Sequence, residues 1–223
     1  VPTIEDEALV LDHHPFGDRH LILTVLTRHH GVQRGVLRRA RGGKAPAAAA
    51  AQILSLVHIS LFQRPQAELA TYRHLDLVKS SFPLTRELSR SAAAAVTAEL
   101  LLTFCPPGEP SNHAYRLGAS CLEALLADTH ADTVVSYAEF WILTLDGVFP
   151  SLPEVVQAVE ENGAAQVAAF RRNSVFDVSG SVLPKVSRWL DRLVRDEAER
   201  PLRALQFYRQ TANSGTAHGE SGS

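Results

Sequence analysis

Residues 14–31 read His-Pro-Phe-Gly-Asp-Arg-His-Leu-Ile-Leu-Thr-Val-Leu-Thr-Arg-His-His-Gly. Within them His20–Thr27 is a run of Leu, Ile, Val and Thr, side chains that suit a pleated strand, with turn formers at both ends. Pro15 and Gly17 mark the turn before it, and Gly31 suits a hairpin turn after it. Working outward, Ala8–Asp12 is a short apolar run feeding the first turn, and Val32–Arg38 continues as a third strand. Arg39–Ala51 holds Gly42, Gly43, Pro46 and five consecutive alanines, which no central strand tolerates, so it reads as a long basic loop. From Ile53 to Phe62 both alternating faces are largely apolar, as expected of a strand inside a closed or covered sheet. Glu68–Val78 supplies a fifth strand. Five short strands in about 75 residues fit a small closed barrel, which leaves no exposed sheet edge.

After Ser80 the apolar period becomes helical. Pro83 opens a long helix through Phe104, stopped by Pro106-Pro107-Gly108; Ser111 starts a second that reaches about Ala127. Asp132 caps a third, ended by Gly147, and Ser151-Leu152-Pro153-Glu154 is a capping-box pattern. Phe170–Leu183 reads as a small hairpin between helices. Pro184 starts a last long helix with Val186, Leu190 and Val194 on one face. Residues 211–223 lack apolar anchors and are expected to be a disordered tail. The fold class is therefore α+β: a barrel domain over 1–79, a mainly helical domain over 80–210 with a small cysteine-free insertion near 152–183, then the tail.

The net charge of −2 conceals a polarised distribution. From Arg19 to Arg64 there are eight Lys or Arg residues and no carboxylate, whereas Glu109–Glu161 carries nine acidic residues against Arg116 alone. Solubilising surfaces usually mix signs, so the one-sign stretch points to phosphate binding. Arg19, Arg34, Arg38, Arg39, Arg41 and Lys44 are the candidate DNA contacts of the barrel. Arg188 and Arg192, in a stripe with Lys185 and Arg195, could extend the path or could be a solvated helix face paired with Asp191 and Asp196. Phe16, Phe62 and Tyr72 are the barrel's only aromatic residues, and turn or core packing is the plainer reading of Phe16. Backbone-dominated, sequence-indifferent binding is expected.

Other chemistry finds little support. The two cysteines, Cys105 and Cys121, form no CxxC pair and exclude a cysteine-rich zinc site. His13-His14 and His29-His30 have only Asp12 and Asp18 nearby and read as turn histidines. Gly42-Gly43-Lys44 lacks the rest of a P-loop, and no nucleophile elbow or metalloprotease helix is present. No catalytic residue, metal or cofactor is expected. No secretory pattern or membrane span appears, so a cytoplasmic place is expected.

His14-Pro15-Phe16-Gly17-Asp18-Arg19, the strand closing on Leu26-Thr27-Arg28-His29-His30-Gly31, the basic Arg38-Arg39-Ala40-Arg41-Gly42-Gly43-Lys44 and Ser80-Ser81-Phe82-Pro83 together resemble the RecO family over roughly residues 7–90. The resemblance implies an OB-fold followed by a helical domain, binding of single- and double-stranded DNA, strand annealing, and recombinase loading with RecR and single-strand-binding protein as partners. Many relatives carry two CxxC pairs where Leu152–Leu183 holds no cysteine, so zinc-dependent features of the family are not expected. A protein-interaction adaptor whose barrel binds no DNA is the alternative.

Overall fold

The computed structural model describes residues 3–38, 50–62, 69–175 and 181–216. Five strands, β1 (Thr3–Phe16), β2 (His20–Thr27), β3 (Gly31–Leu37), β4 (Leu56–Phe62) and β5 (Ala70–Lys79), close in the order β1-β2-β3-β5-β4. All neighbours are antiparallel except β3 and β5, which meet in parallel from Gly35–Ala70 to Leu37–Tyr72. Strand β1 is longer than its apolar run because it serves two partners. Its first half pairs with β4 and its second half with β2, with a bulge between Val10 and Asp12. The fourth strand begins at Leu56 rather than Ile53. Residues 51–54 form turns instead, with Leu54 buried at a φ of 64° and its N–H donating to the Val10 carbonyl at 2.7 Å.

Period-two alternation divides the barrel's apolar residues between two cores. Ala8, Val10, Leu23, Val25, Ile59 and Leu61 fill the interior, together with Tyr72, whose hydroxyl donates to the Leu23 carbonyl at 3.2 Å. Leu9, Leu11, Leu26 and Val32, of opposite parity, join the core of the helical domain. That shared core couples the two parts of the chain.

The helices are α1 (Leu88–Phe104), α2 (Asn112–Leu126), α3 (Ala131–Asp146), α4 (Leu152–Arg172), α5 (Pro184–Glu197) and α6 (Arg203–Thr216). The stretch opened by Pro83 is first a 3-10 turn, Phe82–Arg86, and α1 starts only after the extended Glu87. Ser111 caps α2 as expected, accepting from the Ala114 N–H at 3.3 Å. Helix α3 begins one residue before Asp132, with His130 at its cap, and ends on left-handed Gly147. The capping box holds: the Ser151 N–H donates to Glu154 Oε2 at 2.8 Å. Helix α4 is broken at Glu160, whose φ of 63° lies outside the helical region.

Two expectations for the C-terminal part are corrected. Phe170, Arg171 and Arg172 are not hairpin residues but the last turn of α4, and Phe170 is fully buried. Gln166 then ties the following segment down, accepting from the Leu183 N–H at 2.8 Å and donating to the Ser181 carbonyl at 3.2 Å; residues 176–180 lie outside the described residues. Nor is α5 the last helix. Helix α6 runs to Thr216, so residues 211–216 are helical rather than a tail; 217–223 are not described. Its N-terminal Ala204 and Leu205 N–H groups donate to the Glu99 carboxylate of α1 at 3.0 and 3.1 Å, while Leu205 and Tyr208 are buried. A cap supplied from α1 does for α6 what a local Ser or Asp does elsewhere.

Candidate nucleic-acid interface

The parity that sends Leu21, Leu23 and Leu37 inward sends Arg34 outward, opposite Thr24 of β2. Arg38 follows directly on Leu37, whose partner is Leu21, so it leaves the sheet beside the β1–β2 turn that carries Arg19. Arg19, Arg34 and Arg38 are all exposed. None is ion-paired with a described residue, whereas Arg28 meets Glu7, Lys79 meets Glu123 and Arg90 meets Asp128. Guanidinium groups without a protein carboxylate are free to neutralise phosphates. The expected contacts Arg39, Arg41 and Lys44 lie outside the described residues.

Arg188 and Arg192 form a separate set. They project from the exposed side of α5, whose Val186, Leu190 and Val194 are buried against the helical core. The reading that paired this stripe with Asp191 is overturned. Asp191 is buried and accepts from Arg209 Nε at 2.9 Å through each of its oxygens. Lys185 pairs with Glu160, which it holds below the usual carboxylate range.

Of the three aromatic residues, Tyr72 is buried in the barrel interior and offers no face to a base; the same burial pushes its hydroxyl pKa far up. Phe16 is 47% exposed at the end of β1, against the packing role read for it. Phe62 lies under the Arg73 guanidinium, 4.5 Å from the ring centroid. That pair has no local signal in the sequence, because Arg73 reaches Phe62 from the neighbouring strand.

The histidine doublet in the β2–β3 turn is structural. Both rings reach the buried Asp6: His29 Nδ1 lies 3.0 Å from Oδ1 and His30 Nδ1 3.0 Å from Oδ2, and the His29 N–H donates at 2.8 Å. Burial pushes the Asp6 carboxyl up, but these contacts outweigh it and hold the group below its usual value. The turn is anchored on its far side as well, where the Gly108 N–H donates to the Val32 carbonyl at 3.1 Å. Cys105 and Cys121 are free and buried, their thiols pushed by burial to about 11 and about 12, which leaves them inert.

In the helical domain Arg209 gathers Asp191, Asp132 and Glu139, the last 3.8 Å away and fully buried. Burial and the neighbouring Asp191 push Glu139 well above the carboxylate range against the pull of Arg209. These four residues come from α3, α5 and α6 and clamp the helices together.

A closed β1-β2-β3-β5-β4 barrel with one basic outer side, joined to a helical domain, defines an α+β OB-fold protein. The chain belongs to the recombination protein O family. Residues 2–81 match the family's N-terminal model and residues 85–207 its C-terminal model. It is similar to the DNA repair protein RecO of Koribacter versatilis, 26% identical over 70% of this chain and 64% of that protein. It is also similar to that of Bacillus subtilis, 25% identical over 70% of this chain and 61% of that protein. The RecO of Cutibacterium acnes is 32% identical over 56% of this chain and 51% of that protein. The matched region thus spans less than two thirds of these relatives' own lengths.

Proposed function

We propose that this protein is a DNA-binding recombination mediator acting in DNA repair. It binds single- and double-stranded DNA through the outer side of the barrel, promotes annealing of complementary strands and helps load recombinase. RecR and single-strand-binding protein are its partners, and it acts without catalytic turnover at the nucleoid, in the cytoplasm. The observation that carries this reading is the placing of Arg19, Arg34 and Arg38 on the barrel's outer side without a carboxylate partner among the described residues. Family membership and the names of the similar proteins supply its biological direction. Arg39, Arg41 and Lys44 follow Arg38 directly in sequence and extend the same run of positive charge. Arg188 and Arg192 offer a second contact on the helical domain.

A strand-annealing assay tests it. Complementary labelled oligonucleotides should anneal several-fold faster with the wild-type protein, and the gain should disappear when Arg34 and Arg38 are both changed to Glu. An unchanged rate with wild type, together with retained binding to partner proteins, would establish the adaptor reading in its place.

A further inference from the structure

We infer that the barrel holds single strands by stacking their bases at two points, on Phe16 and on the Phe62–Arg73 pair, with Arg38 between them. The inference rests on the DNA-binding reading above and adds to it the part of the nucleic acid that is gripped. Strand register carries it. The β1–β2 ladder ends at Phe16 opposite His20, and the β2–β3 ladder at Leu21 opposite Leu37, so the next step places His20 beside Arg38. The parallel β3–β5 contact ends at Leu37 opposite Tyr72, so the next step places Arg38 beside Arg73. Leu21, Leu37 and Tyr72 are buried in the barrel; alternation turns their neighbours His20 and Arg38 outward, and Arg73 is exposed. On β5 the register shifts between Ser60–His74 and Leu61–Tyr72; Arg73 is the residue left unmatched, and it folds over Phe62.

The result is one outward line, Phe16, His20, Arg38, Arg73 and Phe62, running across all five strands in the order β1-β2-β3-β5-β4. At about 4.8 Å per step between strands its ends are roughly 19 Å apart along the barrel surface. An exposed phenyl ring and a guanidinium plane already stacked on a ring both offer faces to any base, whatever its sequence. Paired bases in a duplex present no free face, so this line selects single strands. Phosphate contacts by Arg19 and Arg34 would serve single strands and duplexes alike.

The test compares a labelled oligothymidine with an abasic strand of equal length and phosphate number, for wild type and for Phe16→Leu, Phe62→Leu and Arg73→Gln. Wild type should bind the base-bearing strand at least about 10-fold more tightly, since each stacked base contributes roughly a 5- to 150-fold effect. Each variant should lose several-fold of that preference, and the two uncharged changes, Phe16→Leu and Phe62→Leu, should leave salt slope and duplex affinity unchanged. Equal wild-type binding of both strands, with a normal salt slope, overturns the stacking inference and leaves the DNA-binding reading standing. No binding of either strand or of duplex overturns both. A wild-type preference that survives undiminished in Phe16→Leu and Arg73→Gln also overturns the two stacking points, and this outcome can be read even where Phe62→Leu fails to fold.

Discussion

Arg209 lays its Nε–H across both carboxylate oxygens of Asp191, 2.9 Å from each, and this contact fastens helix α6 to α5. Asp132 of α3 stands on the same guanidinium, so one arginine neutralises carboxylates from two helices, with the fully buried, protonated Glu139 beside them. Changing Arg209 to Met keeps the apolar stem and leaves Asp191 and Asp132 without their counter-charge. Breaking a buried ion pair from one side costs about 3–5 kcal/mol. Urea unfolding should show a loss of that order, and a loss under about 1 kcal/mol would mean that α6 is held by Leu205 and Tyr208 alone.

Glu139 pulls the other way. Its carboxyl is raised, so the folded protein keeps a proton that the unfolded chain releases, and stability falls as pH rises above the ordinary glutamate value. Glu139→Gln removes that ionisation at constant volume. At neutral pH the variant should unfold at an equal or higher temperature than wild type, and its stability should decline less between pH 5 and pH 8. A markedly less stable variant would show that the charged form is the one held in the fold.

Asp6 has the opposite sign. Its carboxyl is depressed, so the stability it contributes is present above the ordinary aspartate value and is lost as pH falls through the lower folded one. Asp6→Asn forfeits charge-assisted bonds to His29 and His30. It should cost about 1–3 kcal/mol at neutral pH. Thermal melts across an acid series should show the gap closing below about pH 4, the range in which a model aspartate takes up its proton.

Gly31 adopts a φ of +67°, and a Cβ there would stand 2.3 Å from the Glu109 carbonyl oxygen. Backbone is the obstacle, so nothing nearby can yield cheaply. Gly31→Ala should lose more than the roughly 1–2 kcal/mol of the left-handed backbone alone. Hydrogen exchange should show the Gly108 N–H losing its protection first, since that amide is bonded across the same contact to Val32.

Much of the barrel could be read from residue order. His20–Thr27 is a strand with the boundaries its composition suggests, and the two-sided apolar character of residues 56–62 matches a strand that closes the barrel. Local signals also found the ends of helices wherever a nearby side chain or glycine made them, as at Ser111, Gly147 and Glu154. They failed where the partner is distant. Helix α6 takes its cap from Glu99 and its anchor from Asp191, and neither is visible from residues 203–216. The polar flanks of β1 disguised a 14-residue strand, because Asp6 is satisfied by a turn over twenty residues away. In the candidate site, charge alone pointed to Arg19, Arg34 and Arg38. The Phe62–Arg73 pair depends on a bulge, and no periodicity reveals one.

The most direct test of the central claim is fluorescence anisotropy with a labelled single strand across a salt series. Wild type is compared with a variant carrying alanine at Arg19, Arg34 and Arg38. Each phosphate contact contributes a slope of about −0.7 in log K against log salt. The account predicts weaker binding to every sequence and a slope flatter by about 2 for the triple variant. Unchanged affinity and slope would contradict it and move the DNA contact away from this side of the barrel.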